Sequence, residues 1–214
     1  MINTAHAMLL IYKKFIFVAV LIFFSIQSWS QDSLQVKTDK ISDNPVGSFS
    51  AGAYFANSVG SSFVNQGLDV KPGFALSLRA YVLPRLTVGA HYNFMRAEVS
   101  NPQITGNYDR TNIWVFGGTL GYEFKLFPKI DLLAIGGVGS AVYRNQKGSV
   151  RFTDRGLALW LTPEISYFLT ESLAFYLSPE YRYDRMHIDV PQPLERSFKN
   201  ISYVSLGAGI RFQL

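Results

Sequence analysis

Every second residue of the stretch Ile201 to Leu214, ISYVSLGAGIRFQL, is apolar: Val204, Leu206, Ala208, Ile210, Phe212 and Leu214. The intervening positions, Tyr203, Ser205, Gly207, Gly209, Arg211 and Gln213, are polar or small apart from the tyrosine. Period-2 alternation marks a strand with two unlike faces. The run exceeds the ~5–6 residues of a usual globular strand and matches the ~9–11 tilted residues that cross a bilayer. The same pattern recurs in seven earlier segments: Gly47 to Asn57, Gly73 to Val82, Leu86 to Arg96, Asn112 to Leu126, Ile130 to Tyr143, Gly156 to Phe168 and Leu173 to Arg185. The glycines of Ile130 to Tyr143 leave its register open. Tight turns are predicted at Leu83-Pro84-Arg85, Phe127-Pro128-Lys129 and Leu169 to Ser172. Longer loops are predicted at Ser58 to Val70, Ala97 to Thr111, Arg144 to Arg155 and Met186 to Lys199. Short turns at one end and long loops at the other suit a membrane barrel. The expected fold is all-β: an eight-stranded antiparallel up-and-down transmembrane β-barrel. A soluble eight-stranded carrier is the competing architecture.

The charged positions decide which face is outside. Arg79, Glu123, Glu164, Glu180, Arg182 and Arg211 all share the register opposite the apolar one. An Arg or Lys facing mid-bilayer lipid costs roughly 2–4 kcal/mol, so that register must face the lumen. Eight strands leave an interior just wide enough for side chains to fill, and buried charge is tolerated when paired. A lumenal ion-pair network among these six residues is expected, helped by Tyr81, Tyr176 and His91; a proton or ion path is the alternative. Pro163 and Pro179 fall nearly opposite one another if their strands pair. Proline donates nothing to a ladder, which predicts a bulge or missing ladder bonds there.

The N-terminal segment has different chemistry. Lys13 and Lys14 precede an unbroken apolar run, Phe15 to Phe24, and Ser28 and Ser30 place small residues before Gln31. This is the pattern of a cleaved secretory signal over residues 1–30, too short in its apolar part for the ~18–20 residues of a spanning helix. Gln31 to Pro45 is predicted as a flexible periplasmic lead-in, and residues 46–214 as the barrel domain. Of the 20 basic residues, Lys13 and Lys14 lie in the signal; the rest exceed the 15 acids only slightly. No basic stripe argues for nucleic acid. The absence of cysteine excludes a disulfide scaffold.

A long alternating C-terminal strand with Phe212 near its end, behind a secretory signal, resembles the small OmpA/OmpX-type outer-membrane β-barrel family of Gram-negative bacteria. The resemblance covers essentially all of residues 31–214 and rests on architecture rather than on a catalytic motif. It implies a monomer in the cell outer membrane, inserted by the barrel-insertion machinery, in contact with lipopolysaccharide, with loops for envelope integrity, adhesion or an extracellular ligand. No catalytic residue, metal or cofactor is expected. The two histidines beyond the signal, His91 and His187, belong to no metal spacing. Some relatives modify lipid A, so such an enzyme remains an alternative. His91 and His187 lack the His-x-Ser step of the deacylase type, and His187, Asp189 and Ser197 match a transferase set only loosely. Arg144, Lys147, Arg151 and Arg155 face one acid, Asp154, in the third loop. Guanidinium pairs bidentately with phosphate and the lysine ammonium adds a point charge, which makes these four candidate lipopolysaccharide-phosphate contacts.

Overall fold

The alternating segments close into a ring of eight strands in the computed structural model, which describes residues 45–214 apart from 189, 191, 193 and 194. The expected signal and most of the lead-in (1–44), and Asp189, lie outside the described residues. The strands are β1 (Gly47–Val59), β2 (Leu68–Val70), β3 (Gly73–Leu83), β4 (Leu86–Val99), β5 (Arg110–Phe127), β6 (Ile130–Lys147), β7 (Val150–Phe168), β8 (Leu173–His187) and β9 (Asn200–Gln213). Each neighbouring pair is antiparallel, β1 pairs with β9 as well as β3, and a β4–β5 pairing closes the ring. Closure leaves no sheet edge in the hydrocarbon, where an unpaired backbone group costs several kcal/mol.

The short ninth strand was not expected; the sequence places Leu68 to Val70 in a loop. In the structure β2 continues the line of β3 along β4, with Val70 opposite Ala97 and Phe74 opposite Phe94. That spacing puts one extra residue on the β2–β3 side, a bulge. Pro72 lies within it and brings no N–H, while the Lys71 N–H donates to the Arg96 carbonyl at 2.7 Å.

The third loop also differs. Arg144 to Arg155 is no loop but the upper part of a hairpin, paired rung by rung from Val142–Arg155 to Lys147–Val150. Its turn is only Gly148-Ser149. Gly148 has φ +54°, as the first central residue of a type II′ turn requires. The other three connections at this end are long and carry the short helices α1 (Phe63–Gly67), α2 (Pro102–Thr105) and α3 (Glu195–Lys199).

Across the two prolines the β7–β8 ladder lapses. Pairing stops at Leu161–Tyr181 and resumes at Ile165–Leu177 in the same register. Two residues without N–H groups face each other on one rung, so bonds are lost there without a bulge.

Strand parity sorts the side chains. Phe74, Phe116, Leu120, Leu161, Phe175 and Val204 are exposed on the outer face. Inside, the lumen has two storeys. The half towards the three helices is mainly apolar: Met95, Ile113, Val115, Met186 and Ile201 surround a buried Arg182–Asp184 pair, and Phe63 and Val64 of α1 close it from above. Ser62 caps α1 by accepting from the Asn65 N–H. Phe63 stacks on Phe198 of α3 at 4.7 Å, so two connections form one lid. The half towards the tight turns is polar.

Candidate functional site: the charged lumen and the outer basic rim

The lumenal charges arrive from alternate positions of β3, β5, β7, β8 and β9, because period 2 sends every second residue inward. Arg79 makes a bidentate pair with Glu164, at 3.1 and 2.7 Å. Arg211 donates to Glu123 at 2.6 Å and to the Tyr81 hydroxyl at 2.7 Å, and its other terminal nitrogen lies 3.7 Å from Glu164. Tyr81 donates to Glu123 at 2.6 Å. These five groups form one network, with Arg211 and Glu164 nearly inaccessible to solvent.

Arg182 and Glu180 do not pair with each other. Glu180 accepts from Tyr54 at 2.5 Å and Thr162 at 3.0 Å, with His91 Nε2 at 3.9 Å. Arg182 turns instead to Asp184, whose Oδ1 lies 3.1 Å from its Nε. The N–H is not aimed along that line, so the contact is an ion pair without a hydrogen bond. Arg182 also donates to Asn93 and lies 4.1 Å over the Tyr203 ring. Tyr143 donates to Asp184 at 2.7 Å. Sequence reasoning missed Asp184, Tyr54, Tyr143 and Asn93. Asp184 shares the parity of Glu180 and Arg182, so the alternation itself carried that signal. Tyr176 lines the same central cavity as Arg79, Glu164, Glu180 and His91.

Ser77 and His91 meet in the wall, Ser77 Oγ lying 2.9 Å from His91 Nδ1. With Glu180 on the far side of the ring this resembles a hydrolase triad in composition. The cavity beside it measures about 20 Å³, room for about one water. A nucleophile needs a substrate carbon ~3 Å away, and no acyl group fits there. Among the described residues, no group of three or more His, Asp and Glu is placed to hold a metal ion.

The second site is outside. Arg144, Arg151 and Arg155 occupy the outward parity of β6 and β7, whereas Lys147 takes the other parity near the hairpin tip. Arg96, Arg110 and Arg185 hold the same outward parity on β4, β5 and β8. Arg96, Asn112 and Arg144 share one rung. Arg110 donates to Gln146, and Arg144 lies 4.8 Å over the Trp114 ring. Trp114 packs on Phe94, and Phe94 on Phe74, giving an aromatic girdle just below the arginines. Tyr122 and Phe124 pack together near the tight-turn end. Girdles at both ends of an apolar outer band mark the two membrane interfaces. Beyond the band, burial pushes the Asp154 carboxyl above the usual carboxylate range, opposed by a hydrogen bond from Asn145. His187 ends β8 opposite Arg155.

Residues 16–212 match the family model of the outer membrane protein beta-barrel domain. The chain belongs to that family. This outer-membrane barrel is similar in structure to Neisserial surface protein A, with a TM-score of 0.53 at 15% identity, over 78% of this chain and 97% of that one. It is also similar to OprG from Pseudomonas aeruginosa (TM-score 0.49, 12% identity, 80% and 97% coverage) and to Ail, the attachment invasion locus protein of Yersinia pestis (0.42, 15%, 78% and 99%). Comparison with curated protein sequences finds no match. The barrel resides in the outer membrane.

Proposed function

We propose that this outer-membrane barrel is a non-enzymatic envelope protein that holds lipopolysaccharide by its phosphates. The observation that carries the reading is the outward parity of Arg144, Arg151 and Arg155 on a fully paired hairpin, continued by Arg96, Arg110 and Arg185. Arginines pointing away from the barrel just above an aromatic girdle face the headgroup layer, where guanidinium–phosphate pairs are bidentate. The lumen supports the non-enzymatic part: the Ser77–His91–Glu180 grouping faces a cavity with no room for a substrate. The test is the lipopolysaccharide load of purified protein, read by mass spectrometry at low and high salt. Changing Arg144, Arg151 and Arg155 to Ser should lower the load, most at high salt, where the remaining charges are screened. Lys147→Ser, on the other parity, should leave it near wild type. An unchanged load in the triple variant refutes the reading.

One observation favours a further role in surface adhesion. Pairing of β7 with β8 begins at Arg155–His187. Among the described residues, Val150 to Asp154 therefore have ladder partners on the β6 side only. Such an edge can take an extended segment of another protein as an added strand. Thr153→Pro would block that addition, and binding unaffected by it would refute the role.

A further inference from the structure

The outer wall is not evenly covered. On the rung Phe49–Leu78–Ala90–Gly118–Val138, two small residues lie between large ones. The next rung, Leu76–Tyr92–Phe116, stands above them. The result is a recess of about 490 Å³, within the range of ligand pockets. Its sides are Leu76, Leu78, Tyr92 and Phe116, and its floor is Ala90 and Gly118.

Position identifies the occupant. Arg96 and Arg144 stand six residues above Ala90 and Val138 on the same strands, about 20 Å along them. Strands tilted 35–45° reduce that to about 15 Å of depth, half of a ~30 Å hydrocarbon core. A lipid whose phosphate rests on those arginines ends its chains at the depth of the recess; the same tilt sets the arginines about 13 Å round the wall from it, a span that a molecule with several acyl chains covers. We infer that the recess seats one acyl chain of a lipopolysaccharide molecule held by the outer arginines. The inference rests on the headgroup reading above and adds a chain site to it.

Filling the recess tests it. A Cβ at Gly118 would have its nearest neighbour, the Gly89 carbonyl oxygen, 4.0 Å away, so Gly118→Leu enters open space. Gly136→Leu is the control on the same face, outside the recess, where a Cβ meets only Leu161 at 3.7 Å. Folding of each is checked by heat-modifiable gel migration. The probe is lipid A with a diazirine near the end of one acyl chain, in lipid nanodiscs with the full barrel. In wild type and Gly136→Leu, labelled peptides should concentrate on β3, β4 and β5, and Gly118→Leu should lose that focus. Labelling spread evenly around the wild-type barrel, or unchanged in Gly118→Leu, overturns the chain site whatever the arginine variants show. A focus that survives removal of Arg144, Arg151 and Arg155 overturns the link to the headgroup and leaves the recess as an independent chain site. Equal focusing by a diazirine phosphatidylethanolamine overturns the assignment to lipid A.

Discussion

Replacing Arg211 by Leu keeps the bulk and removes the charge at the centre of the lower lumen. Arg211 is fully buried and bonds Glu123, Tyr81 and Ser166. Removing one partner of a buried pair costs about 3–5 kcal/mol, because the other charge stays behind without compensation. Glu123 keeps the hydroxyl of Tyr81, and Glu164 keeps both bonds from Arg79. The expected loss is therefore near the lower end, about 3 kcal/mol. Arg79→Leu should cost more, since Glu164 would retain only the longer contact to Arg211. The assay is reversible urea unfolding in lipid vesicles, followed by tryptophan fluorescence and gel migration. Glu123→Gln combined with Arg211→Leu should be less destabilised than the two single losses added together, which isolates the pair. Ile210→Leu, one residue away and facing lipid, should change stability by less than about 0.5 kcal/mol. Equal losses at positions 210 and 211 would refute the assignment of faces.

Three further outcomes are expected. In planar bilayers the wild-type barrel should show no steady porin-like current, and Phe63→Ala should not open one, because Met95, Ile113, Met186 and Ile201 still block the lumen beneath the lid; steady currents would refute the plug. Arg85 turns the β3–β4 hairpin with φ 72°; a left-handed conformation costs a side chain ~1–2 kcal/mol and glycine loses ~0.5–1 in entropy, so Arg85→Gly should raise the urea midpoint slightly, and a lower midpoint refutes the argument. Gly117→Ala should impair barrel assembly while Gly118→Ala folds normally on a gel, because a Cβ at Gly117 would lie 2.2 Å from the Val138 carbonyl oxygen.

Architecture was legible because it depends on parity. Alternation at Gly73 to Val82 or Ile201 to Leu214 states which residues share a face, and the cost of charge in lipid states which face is inside. That reasoning also located the lapse at Pro163 and Pro179, since a missing N–H is a property of the residue itself. The Gly148-Ser149 turn was equally written in the chain, as a two-residue hairpin signal. It was obscured by the charged residues around it, whose polarity suggested a loop. Parity says nothing about distance across the barrel. Glu180 and Arg182 are neighbours on one face of β8, yet Glu180 reaches Tyr54 and Arg182 reaches Asp184. The reach to Tyr54 on β1 follows from which strands closure brings near one another and from the stagger between them, whereas Asp184 lies two residues along the same strand as Arg182. The apolar upper lumen is decided the same way. Phe63 and Val64 look like loop residues until α1 folds over Met95 and Ile113, where burying them removes apolar surface from water. The outer recess needs tertiary structure most, because Ala90 and Gly118 become a floor only when register places them side by side between Leu78 and Val138.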